Sequence, residues 1–341
     1  MVDYMIEEKS RDQEWPPVFE AKPNARTASV DAVIDWFDKS SPDLRTELDR
    51  KGAFIIRGFE QMTQPEDYER FARTLCTDLV NYVGGTTPRR VVSGKIVTST
   101  EMAGTWSIPL HQEMSYTANA PDKVFFFGLT PAEKGGESVL ADMRRVTTRL
   151  ESLRRRYEHG GLRLRRALPP LGGEARKIGV QKTWNEVFDT SDKSVVERIA
   201  SERDWDIRWL EDDFLVLTQE SLPAYKRHPR TGESVWFNQM HTFSPAGMIA
   251  WAVRDNRTVD AYRLQTAMRE SPDHMDTVVR EDGSPLPETD IELANQALLD
   301  EAVPIVWHKA DIFVLDNILT AHGRTQFEGP RRLLAALGQD S

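Results

Sequence analysis

The segment Leu110–Tyr116, which reads Leu-His-Gln-Glu-Met-Ser-Tyr, most constrains the fold of this chain. It places an imidazole, His111, and a carboxylate, Glu113, two residues apart between short runs typical of strands. Residues i and i+2 of a strand share a face, so both side chains could bind one metal ion. A site of two histidines and one carboxylate needs one more histidine. The best third ligand is His322, within Asp-Asn-Ile-Leu-Thr-Ala-His-Gly-Arg at 316–324, so the fold must join distant segments.

The His-x-Glu pair alone is weak evidence for a metal site. With 7 histidines and 54 acidic residues in 341 positions, about one His-x-Asp/Glu pair is expected by chance. A second pair, His274 and Asp276, lies in a polar stretch. Only the first pair is followed by Pro-Ala-Glu-Lys-Gly-Gly-Glu-Ser at 131–138 and by a distal histidine with arginines after it. This context favours the first pair.

The order of these motifs resembles that of the Fe(II)/2-oxoglutarate-dependent dioxygenases of the taurine dioxygenase (TauD/TfdA) family. The motifs are H-x-E, P-A-x-x-G-G-E-S, D-N-x-x-x-A-H-G-R and G-P-R-R, and the resemblance runs from about Phe54 to Gly338. Within the family, His228–Glu233 and Trp236–Gln239 look like the branch found in syringomycin-type natural-product clusters.

The resemblance implies that His111, Glu113 and His322 bind Fe(II) and carry the catalysis. This ligand set keeps three coordination positions open, which suits a bidentate 2-oxo acid and dioxygen as co-substrates. One carboxylate leaves the site net positive, so an anionic co-substrate is attracted. Halogenation is disfavoured, because it requires a small residue at the position of Glu113.

The far carboxylate of 2-oxoglutarate needs a hydroxyl and a cation. Ser138 stands where family members usually carry threonine, and its hydroxyl can donate the same hydrogen bond. Arg331 and Arg332 follow the distal histidine, and only one of them can face the pocket because adjacent strand residues point in opposite directions. The Gly-Pro before Arg331 favours it slightly. Its guanidinium fork suits a carboxylate.

The partner of the inner carboxylate is less clear. The family usually carries a second arginine four residues further along, where this chain has Ala335 and Ala336. Arg324 is a substitute candidate for this role.

Hydrophobic periodicity and punctuation by glycine and proline predict the elements. Helices are predicted at 30–52, 65–79, 142–157, 257–270 and 288–301. Strands are predicted at 53–58, 91–99, 107–117, 123–129, 138–141, 207–210, 214–218, 234–237, 303–307, 312–315 and 333–337. Early strands and late strands that supply one metal site fit an α+β fold with a double-stranded β-helix (jelly roll) core, flanking helices and a helical insertion.

The chain is predicted to form one dioxygenase domain at 27–341, preceded by an N-terminal extension at 1–26. Residues 169–204 and 241–302 are predicted insertions and helical elements. The resemblance implies that the first insertion covers the mouth of the barrel as a substrate lid.

Charge and composition exclude several partner classes. A net charge of −10 disfavours nucleic acid and anionic membranes, which bind through lysine and arginine. The chain contains no apolar run of about 18 residues, its start lacks the pattern of a signal peptide, and its single cysteine cannot form an internal disulfide. A cytoplasmic protein is therefore expected.

One segment runs against the acidic balance. Between Arg144 and Arg166 there are nine arginines and two acids. The simplest interpretation is a solvated helix face and a neighbouring strand, and the alternative is a docking patch for an acidic partner.

The resemblance implies hydroxylation of an unactivated C–H bond of an amino acid, either free or tethered to a carrier protein, in specialised-metabolite biosynthesis. Desaturation or cyclisation can follow from the same chemistry. A zinc-dependent hydrolase, which also uses two histidines and a glutamate, and a non-catalytic jelly-roll binding protein are the alternatives from other classes. The sequence leaves the substrate and the oligomeric state open.

Overall fold

The computed structural model describes residues 5–9, 15–81, 89–172 and 182–340. Its helices are α1 (Pro23–Arg26), α2 (Val30–Lys51), α3 (Pro65–Leu75), α4 (Met143–Arg149), α5 (Glu151–Tyr157), α6 (Trp184–Phe188), α7 (Lys193–Glu202), α8 (Met240–Phe243), α9 (Pro245–Arg254), α10 (Thr258–Glu270) and α11 (Glu288–Asp300).

The strands are β1 (Ile6–Glu8), β2 (Val18–Ala21), β3 (Ala53–Arg57), β4 (Asp78–Val80), β5 (Val91–Ser93), β6 (Ile96–Thr98), β7 (Ile108–His111), β8 (Lys123–Thr130), β9 (Lys134–Gly135), β10 (Ser138–Asp142), β11 (Gly161–Leu168), β12 (Asp206–Trp209), β13 (Leu215–Thr218), β14 (Leu222–Pro223), β15 (Tyr225–Arg227), β16 (Ser234–Trp236), β17 (Thr277–Arg280), β18 (Val303–Ile305), β19 (Ile312–Asp316), β20 (Thr320–Arg324), β21 (Phe327–Glu328) and β22 (Arg332–Gln339).

Two sheets build the body of this mixed α and β fold. The main sheet has the strand order β1-β2-β3-β19-β8-β22-β6-β5, and β4 also pairs with β22. The smaller sheet has the order β18-β10-β20-β7. Apolar residues from both sheets form one buried cluster, which includes Ile55, Leu110, Phe126, Leu140, Phe313, Ala321, Leu333 and Leu337. The two sheets therefore face each other across a common core.

The main sheet is covered on its other face by α2 and α3. Strand β22 shows this directly, because Leu333 and Ala335 belong to the core between the sheets, whereas Leu334 and Ala336 pack on the helix side. A strand buried on both faces reads as a continuous apolar run, which is how this segment appears in the sequence.

Local signals set the ends of the first long helix as predicted. The Ser29 side chain accepts a hydrogen bond from the backbone N–H of Ala32, which caps the start of α2. Gly52 ends the helix at φ 77°, a left-handed conformation that glycine adopts without steric cost.

Several predicted elements differ in the structure. The helix predicted at 65–79 ends at Leu75, and Asp78–Val80 forms strand β4. The strand predicted at 91–99 is divided into β5 and β6.

The differences nearest the metal centre concern one helix and one strand. The helix predicted at 142–157 is divided at Leu150 into α4 and α5, although the Asp142 side chain caps its start. The strand predicted at 107–117 spans only Ile108–His111. Glu113 lies in the turn that follows, and Met114 has φ 54°. His111 and Glu113 therefore do not share a strand face, and other contacts must bring them together.

The N-terminal segment contributes strands to the main sheet. Strand β2 runs parallel to β3, with Val18 opposite Ile55, and β1 pairs with β2. Residues 1–4 and 10–14 of the predicted extension lie outside the described residues.

A third sheet covers part of the body, with the order β12-β13-β11-β14 and with β17 on β11. With α6 and α7 it forms a separate apolar cluster that includes Leu168, Trp184, Val196, Leu215 and Leu217. We call β11 to β14 with β17 the cover sheet. Residues 173–181 of the predicted insertion at 169–204 lie outside the part of the chain that the structure describes.

None of the helices in the described ranges combines the length and the apolar character needed to cross a lipid bilayer.

Candidate metal centre

The pairing of β7 with β20 brings two distant histidines together. His111 is the direct partner of His322 across these strands, and the two ring centroids lie 4.5 Å apart. The Glu113 Oε2 atom lies 3.5 Å from His322 Nε2. One donor atom from each of the three residues lies within 4.8 Å of the others, so a single ion could contact all three.

The protonation of His111 fits a metal ligand. Its Nδ1 lies 2.9 Å from the carbonyl oxygen of Pro109, which can only accept, so Nδ1 carries the proton and Nε2 keeps a free lone pair. Burial, followed by the charge of His322, lowers the pKa of His111 to about 4. The ring is therefore neutral near pH 7, as metal binding requires.

The carboxylate of Glu113 is stabilised in its ionised form. Burial opposes ionisation, but the charge of Arg89 and the hydrogen bond and charge of His322 outweigh it and lower the pKa of Glu113. The Arg89 guanidinium donates from Nη2 to Glu113 Oε2 over 2.6 Å, and both side chains are buried. Two imidazole nitrogens and one carboxylate oxygen form a donor set that fits Fe(II).

Asn317 positions Glu113 in place of a neighbouring strand. The backbone N–H of Glu113 donates to Asn317 Oδ1 over 2.7 Å, and Asn317 Nδ2 donates to the Glu113 carbonyl over 2.9 Å. Asn317 also donates to the carbonyl of Pro121. Asn317, five residues before the distal histidine, thus holds the turn that carries Glu113.

The segment Trp236–Gln239 also holds this turn. Gln112, which stands between the two ligands, donates from Nε2 to the carbonyls of Trp236 and Ile318. Gln239 donates in turn to the Gln112 carbonyl over 2.9 Å. Asn238 is buried and bonds the backbone of Ala224 and Met240, so its polar contacts serve the local chain.

The structure distinguishes the proposed metal centre from two other groups of histidine and acidic residues. The Nε2–H of His274 donates to Asp212 Oδ2 over 2.8 Å, and Asp276 accepts from the backbone N–H of Ala167. That pair does not form a three-donor cluster within the described ranges. Asp49, His228 and Asp316 also approach within 4.8 Å. There Arg230 contacts both carboxylates, which makes the cluster an ion-pair network.

The predicted co-substrate residues meet beside the histidines in one cavity. Ser138, Arg324 and Arg331 line it together with His111 and His322, and so does Arg89. Arg332 is exposed, so Arg331 is the arginine of that pair that faces the cavity. The Ser138 hydroxyl accepts from Trp307 Nε1 over 3.1 Å, which leaves its own proton available to donate.

The two cavity arginines from the C-terminal motifs differ in their contacts. Arg324 Nη2 donates to the carbonyls of Ala103 and Trp106, so its charge is directed to the backbone. Arg331 donates weakly to Gly136 at 3.3 Å and has no carboxylate partner among the described residues. Burial, and then the charge of Arg324, lowers the pKa of Arg331 to about 9. An incoming carboxylate would find Arg331 the more available cation.

The sequence analysis did not identify Arg89. Strands β5 and β6 follow this residue. Thr98 of β6 pairs with Leu334 of β22, and the backbone N–H of Thr98 donates to the carbonyl of Arg90, the neighbour of Arg89. Arg89 lines the cavity together with Arg331 and Leu333 of the C-terminal segment. Only the pairing of β6 with β22 reveals this, because no local sequence signal marks Arg89.

Comparison with known proteins identifies relatives over most of the chain. The family model described as "Taurine catabolism dioxygenase TauD, TfdA family" matches residues 12–337. Dapdiamide synthesis protein DdaC of Enterobacter agglomerans is 29% identical over 317 residues, which cover 91% of this chain and 89% of that protein. A clavaminate synthase-like protein of Arabidopsis thaliana is 29% identical over 295 residues, with coverages of 85% and 82%.

Solved structures show the same fold. A putative alpha-ketoglutarate-dependent taurine dioxygenase from Burkholderia xenovorans matches with a TM-score of 0.54 and 15% identity, covering 98% of this chain and 93% of that chain. AAD-2, solved in complex with Mn(II) and N-oxalylglycine, matches with a TM-score of 0.54 and 12% identity, covering 99% and 98%.

Proposed function

Because the chain belongs to the taurine catabolism dioxygenase TauD, TfdA family, we propose that it is a non-haem Fe(II)/2-oxoglutarate-dependent oxygenase. The observation that carries this proposal is the cluster of His111, Glu113 and His322, whose donor atoms lie within 4.8 Å. The two sheets that face each other across one core support the finer assignment of the fold as a jelly roll.

The residues that would hold the iron are His111, Glu113 and His322. When bound, Fe(II) couples the oxidative decarboxylation of 2-oxoglutarate by dioxygen to the oxidation of a C–H bond. The protein's own contribution is to keep the His111 imidazole neutral and the Glu113 carboxylate ionised, and the contacts of Pro109 and Arg89 support these two states. Leu110, Phe126 and Leu140 of the apolar core pack around the site.

Co-substrate binding is assigned to the cations of the cavity. Arg331 is proposed to pair with the distal carboxylate of 2-oxoglutarate, and Ser138 is proposed to donate a hydrogen bond to it. Arg89 is proposed to balance the charge of Glu113 and of the inner carboxylate, a role for which Arg324 is less suited because it bonds backbone carbonyls.

The substrate is proposed to be an amino acid or an amino-acid derivative, free or carrier-tethered, in specialised metabolism. Similarity to a dapdiamide synthesis protein supports a biosynthetic role. Hydroxylation is the expected outcome, and desaturation or cyclisation requires the same cofactor set. Mass spectrometry distinguishes hydroxylation from the other two outcomes, because hydroxylation adds one oxygen atom, whereas desaturation and cyclisation each remove two hydrogen atoms.

The first prediction tests the cofactor assignment. Anaerobic addition of Fe(II) and 2-oxoglutarate should produce a weak visible absorption band, because a chelated 2-oxo acid on ferrous iron absorbs there. His111→Ala and His322→Ala should abolish the band. The control His274→Ala should retain it, since His274 lies outside the cluster.

A zinc hydrolase or a binding protein would give neither the band nor consumption of 2-oxoglutarate in air. Retention of the band in either ligand variant would refute the assignment of the three ligands.

A further inference from the structure

A cavity of about 980 Å³ lies between the cover sheet and the turn that follows Glu113. Its walls include Met114, which directly follows the predicted ligand, and Thr117 on one side, with Arg166, Leu217 and Gln219 on the other. A volume of this size is sufficient for a small organic molecule. The cavity therefore adjoins the segment that directly follows the proposed ligand Glu113.

Arg166 differs from the other arginines of the basic run. Seven of the nine arginines between 144 and 166 form ion pairs with acids, which offsets most of the local charge. Arg155 is exposed. Arg166 is only 4% exposed and forms no ion pair or hydrogen bond with the described residues, and its Nε is a buried donor without an acceptor.

The direction of Arg166 follows from its strand. In β11, residues 162, 164, 166 and 168 share one face, and the other three are buried leucines. Arg163 and Arg165 point to the opposite face and pair with Asp206 and Asp273. A guanidinium thus stands within an apolar row on the inner face, in the wall of the cavity.

The other charged groups that line the cavity do not neutralise Arg166. Glu186 accepts hydrogen bonds from the Thr183 backbone and hydroxyl, and Glu220 accepts from Trp205 Nε1. Lys182 and Arg203 add two further cations. Burial, and then the charge of Arg166, lowers the pKa of Lys182. Among the described residues, the cavity is lined by three basic and two acidic side chains, and both acids already have partners.

We infer that this cavity is the primary-substrate site and that Arg166 binds an oxyanion of the substrate there. This inference rests on the proposed function. A buried guanidinium without a partner is costly, and a ligand anion would supply its missing partner. The oxyanion has two possible sources with the same chemistry, the carboxylate of a free amino acid and the phosphate of a carrier's phosphopantetheine arm.

The second prediction measures anion binding directly, without turnover. Metal-free protein in phosphate-free buffer is titrated by calorimetry with inorganic phosphate, phosphopantetheine, and the common L-amino acids, each beside its C-terminal amide. Preference for an amino acid over its amide identifies the carboxylate source, and preference for phosphopantetheine identifies the carrier arm. Arg166→Met should lower the affinity of the protein for the preferred probe by about 30-fold or more.

Matched variants separate binding from folding. Arg166→Lys keeps the charge and should retain part of the affinity, and Arg155→Met, which changes an exposed arginine, should retain all of it. Arg166→Met should also raise Tm by about 2 °C or more, because it removes a buried charge that has no partner among the residues the structure describes. A structural arginine would instead lower Tm when replaced.

The inference is overturned if wild-type protein binds none of these probes, or if Arg166→Met binds them as wild type does. The iron and 2-oxoglutarate absorption band should be unchanged in Arg166→Met. Loss of that band from wild-type protein would contradict the proposed function, whereas an intact band with unaltered probe binding would contradict only the role of Arg166.

Discussion

Arg331 and Arg332 are neighbours in the sequence, yet the structure gives them different surroundings. Arg331 lines the cavity beside His111 and His322, and Arg332 is exposed at the start of β22. The alternation of strand side chains predicted that only one could face inward, and the Gly-Pro before Arg331 favoured that residue. The residue types therefore limited the cavity-facing arginine to two candidates, and the difference in their burial distinguished Arg331 from Arg332.

The third prediction compares these two arginines. Arg331→Ala should raise the apparent constant for 2-oxoglutarate about 30-fold to several thousand-fold, because it leaves a desolvated carboxylate without its cation, at a cost of roughly 2 to 5 kcal/mol. Arg332→Ala is the control and should change the constant little. Titration of the anaerobic absorption band with 2-oxoglutarate provides the measurement, and similar small effects in both variants would contradict the proposed binding mode.

The positions of Arg89 and Arg166 could not be predicted from residue types. Both are arginines in ordinary sequence contexts, and the basic run around Arg166 was interpreted as a solvated face or a docking patch. Ion pairs account for most of that run, whereas Arg166 is buried on the inner face of β11. Neither the position of Arg89 in the cavity nor the burial of Arg166 can be predicted from the sequence, because each depends on strands that are distant in the chain.

At the scale of elements, the turn after β7 is the feature on which the metal centre depends. The sequence predicted a strand through 107–117, but β7 ends at His111. The Asn317 side chain bonds both the N–H and the carbonyl of Glu113. A single amide thus replaces the hydrogen bonds that a neighbouring strand would supply, and it connects the first ligand motif to the segment that carries His322.

The fourth prediction removes this connection. Asn317→Ala leaves buried backbone groups of Glu113 and Pro121 without partners, so the free energy of unfolding should fall by about 3 kcal/mol. Metal affinity should fall by about 10-fold to 100-fold, since the turn that carries Glu113 loosens. Urea unfolding and Mn(II) titration measure the two effects.

The control for this variant is Asn24→Ala, which changes an exposed asparagine of α1. It should change neither quantity. If Asn317→Ala lowers stability but leaves Mn(II) affinity unaltered, the amide supports the fold and does not position the ligand.

At the scale of the whole molecule, a buried histidine outside the metal cluster connects the helices to the smaller sheet. The Nε2–H of His241 in α8 donates to the Leu110 carbonyl in β7 over 2.7 Å. Burial lowers the pKa of His241 from 6.5 to about 4, so the folded protein holds it neutral. Between these two values the unfolded chain binds the proton more strongly, and stability falls as the pH falls through this window.

The fifth prediction tests this fall in stability at low pH. On lowering the pH from 7 to 5, His241 should account for about 2 kcal/mol of the loss in the free energy of unfolding, and this loss should be absent from His241→Gln. Urea unfolding of metal-free protein at both pH values gives the comparison. The two curves are compared by their change with pH, so a constant destabilisation of His241→Gln does not affect the test. An equal pH dependence in both proteins would contradict the assignment.

The sequence by itself determined the features that depend on residue type and on local order. The residue types and the order of the motifs are properties of the sequence itself. The ends of α2 and most strands are short-range properties, because capping, turn formation and apolar alternation act over a few residues. The predicted family was likewise confirmed. The single-domain boundaries and the site roles stay predictions.

Only the tertiary structure decided which side chains meet. The pairing of β7 with β20 brings His111 to His322, and the pairing of β6 with β22 brings Arg89 to the cavity. The turn after the early end of β7 also depends on a distant residue, because Asn317 bonds the backbone of Glu113. The physical reason is that burial and strand register arise from contacts far apart in the chain, and these contacts determine which charges lose their solvent and need a partner.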